Sequence, residues 1–204
     1  MVEVVSNIPE FKVKYSDVFH IKNLYVMFHE YLAEEGFLDE DQITGTGEGH
    51  RYAEVLYLEK HIQKGLHRGG MEMWVWWRTM KMPESKYSGY FRYRLDFDFH
   101  VMYMVPHKIM HQGKEVNLNK GEIEFHIRPV VEADYKGEWK NHWFLKNFLD
   151  LYNKRILSQE IEKREKELWR EAYKFQSKIK QFLNLRTFIP TPEPFWRPIT
   201  GYDK

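Results

Sequence analysis

Five side chains on two alternating stretches have the types and spacing for acid–base or metal chemistry. Asp96, Asp98 and His100 share one parity of the segment Tyr87–Val105, and Glu124 and His126 share one parity of Gly121–Tyr135. If the two segments pair as strands, carboxylates and imidazoles meet on one surface. That is the raw material of a general acid and base. Asp96, Asp98, His100 and His126 also form an oxygen and nitrogen donor set of the kind that divalent cations accept. The competing reading is a solvated face. Arg92, Arg94, Glu122 and Arg128 complete the same alternation, and cross-strand charge pairs stabilise a sheet by about 0.2–1 kcal/mol each. An antiparallel sheet with one wet side needs such a face. The expectation is therefore a charged surface, with no metal and no cofactor.

A second group is built for contact rather than bond-making. Trp74, Trp76 and Arg78 share one parity, with Trp77 on the other. Exposed, the three would form a platform for stacking bases or sugars, with the guanidinium adding cation–π attraction. Buried, they would be core under a helix and a tail. Phe195 and Trp196 sit in the segment TFIPTPEPFWRPITGYDK, which carries Pro190, Pro192, Pro194 and Pro198, half of the chain's 8 prolines. Spaced prolines forbid a helix and favour an extended segment. Such a segment docks with little entropy loss, and its aromatics suit an interface. The tail is expected either to fold back on its own sheet or to bind a protein partner or a second copy.

Other patterns fall short of chemistry. His29-Glu30 begins the helical metalloprotease spacing, but Ala33 stands where the second histidine belongs. The run TGTGEGH has no following Lys-Ser or Lys-Thr and no strand leading into it. No nucleophile elbow, phosphate-binding loop, dinucleotide fingerprint or kinase signature is present.

The elements that must hold these residues follow from periodicity. Glu10–Tyr15 alternates as a short strand, and Ser16 or Asp17 is expected to cap a helix running to about Glu35, with Gly36 at its end. Tyr52–Ile62 fits a strand or a short helix, with the strand preferred, and Met71–Met82 is an apolar run too rich in Trp and Met to assign by period alone. From Tyr87 to Val105 every odd residue but Gly89 is apolar, which predicts a long strand with one buried face and a bulge at Gly89. His111–Lys120 is expected as a loop, with Lys108–Val116 as a further short strand. After Asn141 the step changes to helical, with Phe144, Leu145, Phe148, Leu149, Tyr152 and Ile156 on one stripe. Ser158 is expected to cap a helix of about 25 residues with the stripe Ile161, Glu165, Leu168, Trp169, Ala172, Phe175, Ile179, Phe182 and Leu183. From Lys154 to Lys180 there are nine basic residues against five acidic ones, a local excess that could steer an acidic partner.

Composition bounds the rest. The chain has 204 residues, 43% hydrophobic, 30% charged and 17% aromatic, enough to bury a core without staples. With no cysteine, disulfides, thiol catalysis and Cys-ligated metal are excluded. The net charge of +1 argues against a generic nucleic-acid binder. No apolar run approaches the roughly 18 residues of a membrane span, and the N-terminus lacks a secretion signal. A cytoplasmic location and no membrane are expected.

Two resemblances accompany this reading. The strings WWRTMKMPESKYSGYFRY, LNKGEIEFHI and KIKQFLNL resemble segments, in the same order, of an archaeal family of hypothetical proteins, over roughly Tyr52 to Leu185. That resemblance implies no activity, cofactor or active site. The Pro-rich tail lies outside it. The element order is also similar to the helix-grip arrangement of the START/polyketide-cyclase-like superfamily. That likeness implies a cavity between sheet and helix for an apolar ligand.

The expectation is an α+β domain over residues 1–185 and an extended aromatic tail over 186–204. The domain has a mainly antiparallel twisted sheet of four to six strands, a short N-terminal helix, and a long C-terminal helix on the apolar face. The expected function is a non-catalytic intracellular module binding a protein partner or an apolar small molecule. One alternative is a hydrolase or cyclase-like enzyme using Asp96, Asp98, His100, Glu124 and His126. Another is RNA or sugar binding through Trp74, Trp76 and Arg78.

Overall fold

A computed structural model describes residues 3–5, 8–37, 54–62, 69–83, 89–111 and 113–185. The segment Asp39–Gly49 and the tail from Arg186, with Phe195 and Trp196, lie outside the described residues. Six strands form one antiparallel sheet: β1 (Glu3–Val4), β2 (Phe11–Phe19), β3 (Glu54–Ile62), β4 (Gly70–Lys81), β5 (Phe91–His111) and β6 (Lys114–Ala133). The order is β1-β6-β5-β4-β3, and β2 also pairs with β6. Two helices, α1 (Ile21–Glu34) and α2 (Ser158–Phe182), complete the α+β fold. Among the described residues no helix is long and apolar enough to cross a membrane.

The alternation of β5 governs the core. Phe91, Tyr93, Leu95, Phe97, Phe99 and Val101 are all buried on one face. Val75 and Trp77 of β4 and Ile123, Phe125 and Ile127 of β6 join them. Both helices lie on this face. Phe28 of α1 stacks on Trp77 at 5.3 Å and meets Phe97 edge-on at 4.7 Å. Leu168, Ala172, Phe175 and Ile179 of α2 are fully buried. Each large side chain so buried contributes roughly 1.5–3 kcal/mol. Where a helix-grip likeness implies a ligand cavity, the space is filled by Phe28, Trp77, Phe97 and Phe175, whose rings lie within contact distance of one another. Lys81 bonds Glu171 at 2.8 Å and Tyr93 donates to Glu167 at 2.8 Å, tying α2 to β4 and β5.

Several local expectations are corrected. Ser16 and Asp17 do not cap a helix; they pair with Glu122 and Gly121 inside β2. The cap is His20, whose Nδ1 accepts from the Asn23 amide at 3.1 Å. Gly36 does close α1 with positive φ, at 77°. Ser158 is the first helical residue of α2 and not its cap. Gly89 lies in the turn before β5. The bulge falls instead between Met102 and Val105, where Tyr103 has φ 54°. Past it the parity flips, so Met104 is buried and Val105 is exposed. Two glycines make room for it. A Cβ on Gly70 would stand 2.8 Å from the Tyr103 carbonyl carbon, and one on Gly121 would stand 2.9 Å from the Met102 oxygen. The expected loop at His111–Lys120 is mostly strand. β5 and β6 continue past the bulge as a ribbon that turns at Gly113, φ 76°.

The stretch after Asn141 is also not one helix. It is a series of short turns from Glu138 to Ile156, with 3-10, α and π geometry in succession. Phe144, Phe148 and Ile156 of the expected stripe are exposed there, beside Trp143 and Leu151.

Candidate functional site

The face of the sheet turned away from the helices carries every described residue singled out for chemistry. Strand pairing assembles them. Across β4 and β5, Arg78 lies opposite Asp96, Trp76 opposite Asp98 and Trp74 opposite His100. Across β5 and β6, Asp96 lies opposite Arg128, Asp98 opposite His126 and His100 opposite Glu124. Side chains directly opposite one another in antiparallel strands stand on the same side. Residues up to 54 positions apart thus form one grid.

The grid is a lattice of ion pairs. Asp98 takes Arg78 on one oxygen at 2.6 Å and Arg128 on the other. Glu124 takes Lys14 at 2.8 Å, and that bond holds its carboxyl below the usual glutamate range. His126 bonds Glu10 and stands 3.8 Å from Glu124. Asp96 is buried, 3.3 Å from Arg94 and 3.9 Å from Arg78. Burial raises its pKa, against the pull of the surrounding arginines. His100 stacks flat on Trp74 at 4.7 Å, and among the described residues its buried Nε2 has no hydrogen-bond partner. Burial lowers its pKa, outweighing Glu72 and Glu124. At neutral pH this ring is therefore uncharged.

These commitments bear on chemistry. A general base needs a carboxylate free to take a proton, and both Asp98 and Glu124 are clamped by cations. A metal site needs converging lone pairs. Among the described residues, no group of three or more His, Asp or Glu side chains is placed to hold an ion.

The end of the lattice toward β3 is different. Trp76 is 40% exposed, and the Arg78 guanidinium lies 5.7 Å from its ring centroid. Trp74 is half-buried and Trp77 is turned into the core. Leu56 and Leu58 of β3 lie opposite Trp76 and Trp74 and so share their face; Leu58 is 49% exposed. Sequence reasoning missed both leucines. Their alternation in EVLYLEKHI is visible, but it does not say which parity faces out. Among the described residues β3 pairs only with β4, and none of them pairs with its outer backbone edge. Lys60 and Glu72 pair across the strands beyond the leucines. The result is an apolar Trp and Leu patch at a sheet edge with charged neighbours.

Two other polar features lie apart from this face or at its far end. A groove of about 410 Å³ between α1 and β3 is lined by Tyr25, Tyr57, Glu54, Glu59, Met71 and Met73, among others. Its tyrosines donate to Glu54 and Glu59. Burial and these carboxylates push the Tyr57 hydroxyl up to about 12, so it is a donor and not a base. At the far end of the lattice Glu132 is 1% exposed and is held by Arg92 at 2.7 Å and Arg94 at 2.9 Å.

No family model, no curated protein and no solved structure matches the chain.

Proposed function

We propose that this chain is a non-catalytic intracellular interaction module that docks a protein partner at the β3 end of its outward sheet face. The observation that carries the reading is the patch of Trp76, Leu56 and Leu58 beside a strand edge that no described residue pairs with. Trp and Arg are the residues most enriched at binding hot spots, and an open edge accepts an added strand through its backbone. The charged lattice beside the patch supplies a polar rim. The filled core and the clamped carboxylates support binding at a surface over turnover in a pocket.

The test is recovery of a stoichiometric partner from the native source, comparing the wild type with Trp76→Ala and Leu58→Ser. The expected result is one partner band lost in both variants while the melting temperature holds. Identical partners from all three proteins would overturn the reading, as would turnover in a broad substrate screen that Asp98→Asn abolishes.

A further inference from the structure

We propose that a groove on the helical side of the molecule binds single-stranded nucleic acid. The groove lies between α1 and α2, has a volume of about 610 Å³, and is lined by Tyr31, Arg170, Tyr173, Lys174, Ser177 and Lys178, with Gln181 at its end. No acidic side chain lines it; Glu35 hydrogen-bonds the Tyr31 hydroxyl at its α1 wall, with Glu34 acting on the same tyrosine.

The cations here are unspent. Among the described residues neither Arg170 nor Lys174 has a carboxylate partner, and the Lys178 ammonium rests 5.2 Å over the Tyr31 ring. Their spacing is regular. Residues 170, 174 and 178 follow at four-residue steps, which places successive charges about 6 Å apart along a helix. A second hollow of about 290 Å³ shares Arg170 and continues along α2 past Lys166 and Lys163. Its glutamates are occupied, Glu162 by Lys166 and Glu167 by Arg164. A chain with a net charge of +1 thus leaves Lys163, Arg170 and Lys174 without a carboxylate partner among the described residues along one trough, Lys166 being spent on Glu162.

The aromatics decide the class of polyanion. Tyr173, in the groove wall, is 47% exposed, and Trp169, one turn before it on α2 and beside the groove rather than in its lining, is 39% exposed. Their rings lie parallel within 11° at 6.1 Å, and Tyr173 is braced edge-on by Phe11 at 4.8 Å. Flat, exposed, braced rings alternating with cations match the two requirements of single-strand binding, charge for the backbone and ring faces for the bases. An acidic peptide uses only the cations. A lipid surface is met by Trp, Phe and Leu side chains inserted together, and the groove lining holds none of these three.

The experiment is fluorescence anisotropy of a labelled 12-residue oligouridylate against the full chain, from low to moderate salt. Binding is expected, with log affinity falling against log salt at about −0.7 for each phosphate contacted. Three cations then give a slope near −2, and the double variant Arg170→Ala/Lys174→Ala flattens it to about −0.7. Tyr173→Ala and Trp169→Ala are each expected to weaken binding by about 5- to 150-fold without changing the slope, the effect of losing one stacked base. Trp76→Ala, on the opposite face, is expected to bind normally. Absence of binding at low salt overturns the proposal. So does equal affinity for poly-glutamate or for vesicles containing phosphatidylserine, or indifference to both aromatic substitutions.

Discussion

Replacing Phe175 by alanine tests the physical core of the fold. This ring is fully buried in the C-terminal half of α2. It lies 5.4 Å from Phe97 in the sheet, 6.2 Å and 5.0 Å from Phe28 and Tyr31 on α1, and 5.4 Å from Phe37 just past that helix. Removing it opens a cavity that three rigid elements border, so collapse is limited. Such a Phe→Ala change costs about 3–5 kcal/mol. In a domain of this size each kcal/mol moves the melting temperature by about 2–4 °C, so a fall of about 6–20 °C is expected. Phe182 is the internal control. It sits on the same helix with 38% exposure, and Phe182→Ala is expected to change stability by about 0.5 kcal/mol or less, as surface substitutions do. Urea titration followed by circular dichroism measures both. A loss under about 1 kcal/mol at position 175, or equal losses at the two positions, would refute the claim that α2 roofs the sheet.

Other outcomes follow from the same coordinates. Glu132→Ala removes the buried carboxylate that Arg92 and Arg94 share and should cost about 3–5 kcal/mol in urea titration, whereas Arg92→Met/Glu132→Leu together should cost less. A milder double variant than single variant is the result to look for; a worse one contradicts it. Burial depresses the His100 pKa below its ordinary 6.5, so the unfolded chain takes up the proton more readily than the folded one. The stability this contributes is complete above 6.5 and is lost as pH falls through the folded value. The urea midpoint should therefore fall less between pH 7 and pH 5 in His100→Gln than in the wild type, and equal falls would contradict the assignment. Gly121→Ala forces a methyl group to within 2.9 Å of the Met102 oxygen, and it should lower the thermal midpoint well beyond the effect of Gly89→Ala at the exposed turn before β5, where an added Cβ meets nothing within 4 Å. Equal effects would show that the bulge does not depend on close approach of β6.

Legibility differed between kinds of feature. Phe91 to Val101 could be read from alternation alone because burial on one face imposes a period of two. The centre of the α2 stripe could be read because Leu168, Ala172, Phe175 and Ile179 repeat at three and four residues, whereas Trp169 and Phe182, expected on the same stripe, are exposed. The bulge at Tyr103 could not, because its cause lies in Gly70 and Gly121 on neighbouring strands. The His20 cap was hidden because Ser16 and Asp17 are better caps by type, and only pairing with β6 keeps them in β2. Burial of Arg92, Glu132 and Arg164 was hidden because a charged residue enters the interior only with its partner. For Arg92 that partner is 40 positions away. In the candidate site, the shared surface of Asp96, Asp98, His100, Glu124 and His126 was legible, since parity and pairing suffice. Their clamping by Lys14, Arg78 and Arg128 was not, because side-chain reach across four strands has no sequence signature. Nor was the outward face of Leu56 and Leu58.

The central functional claim places a protein partner on the β3 end of the outward face, and site-specific photo-crosslinking tests it most directly. A benzophenone amino acid replaces Leu58 in one preparation and Asn23, exposed on α1 at the opposite side, in another. Illumination in the native extract should join a single protein of defined mass to the position 58 chain and leave the position 23 chain free. Adducts of the same mass and yield at both positions, or at position 23 alone, would contradict the account.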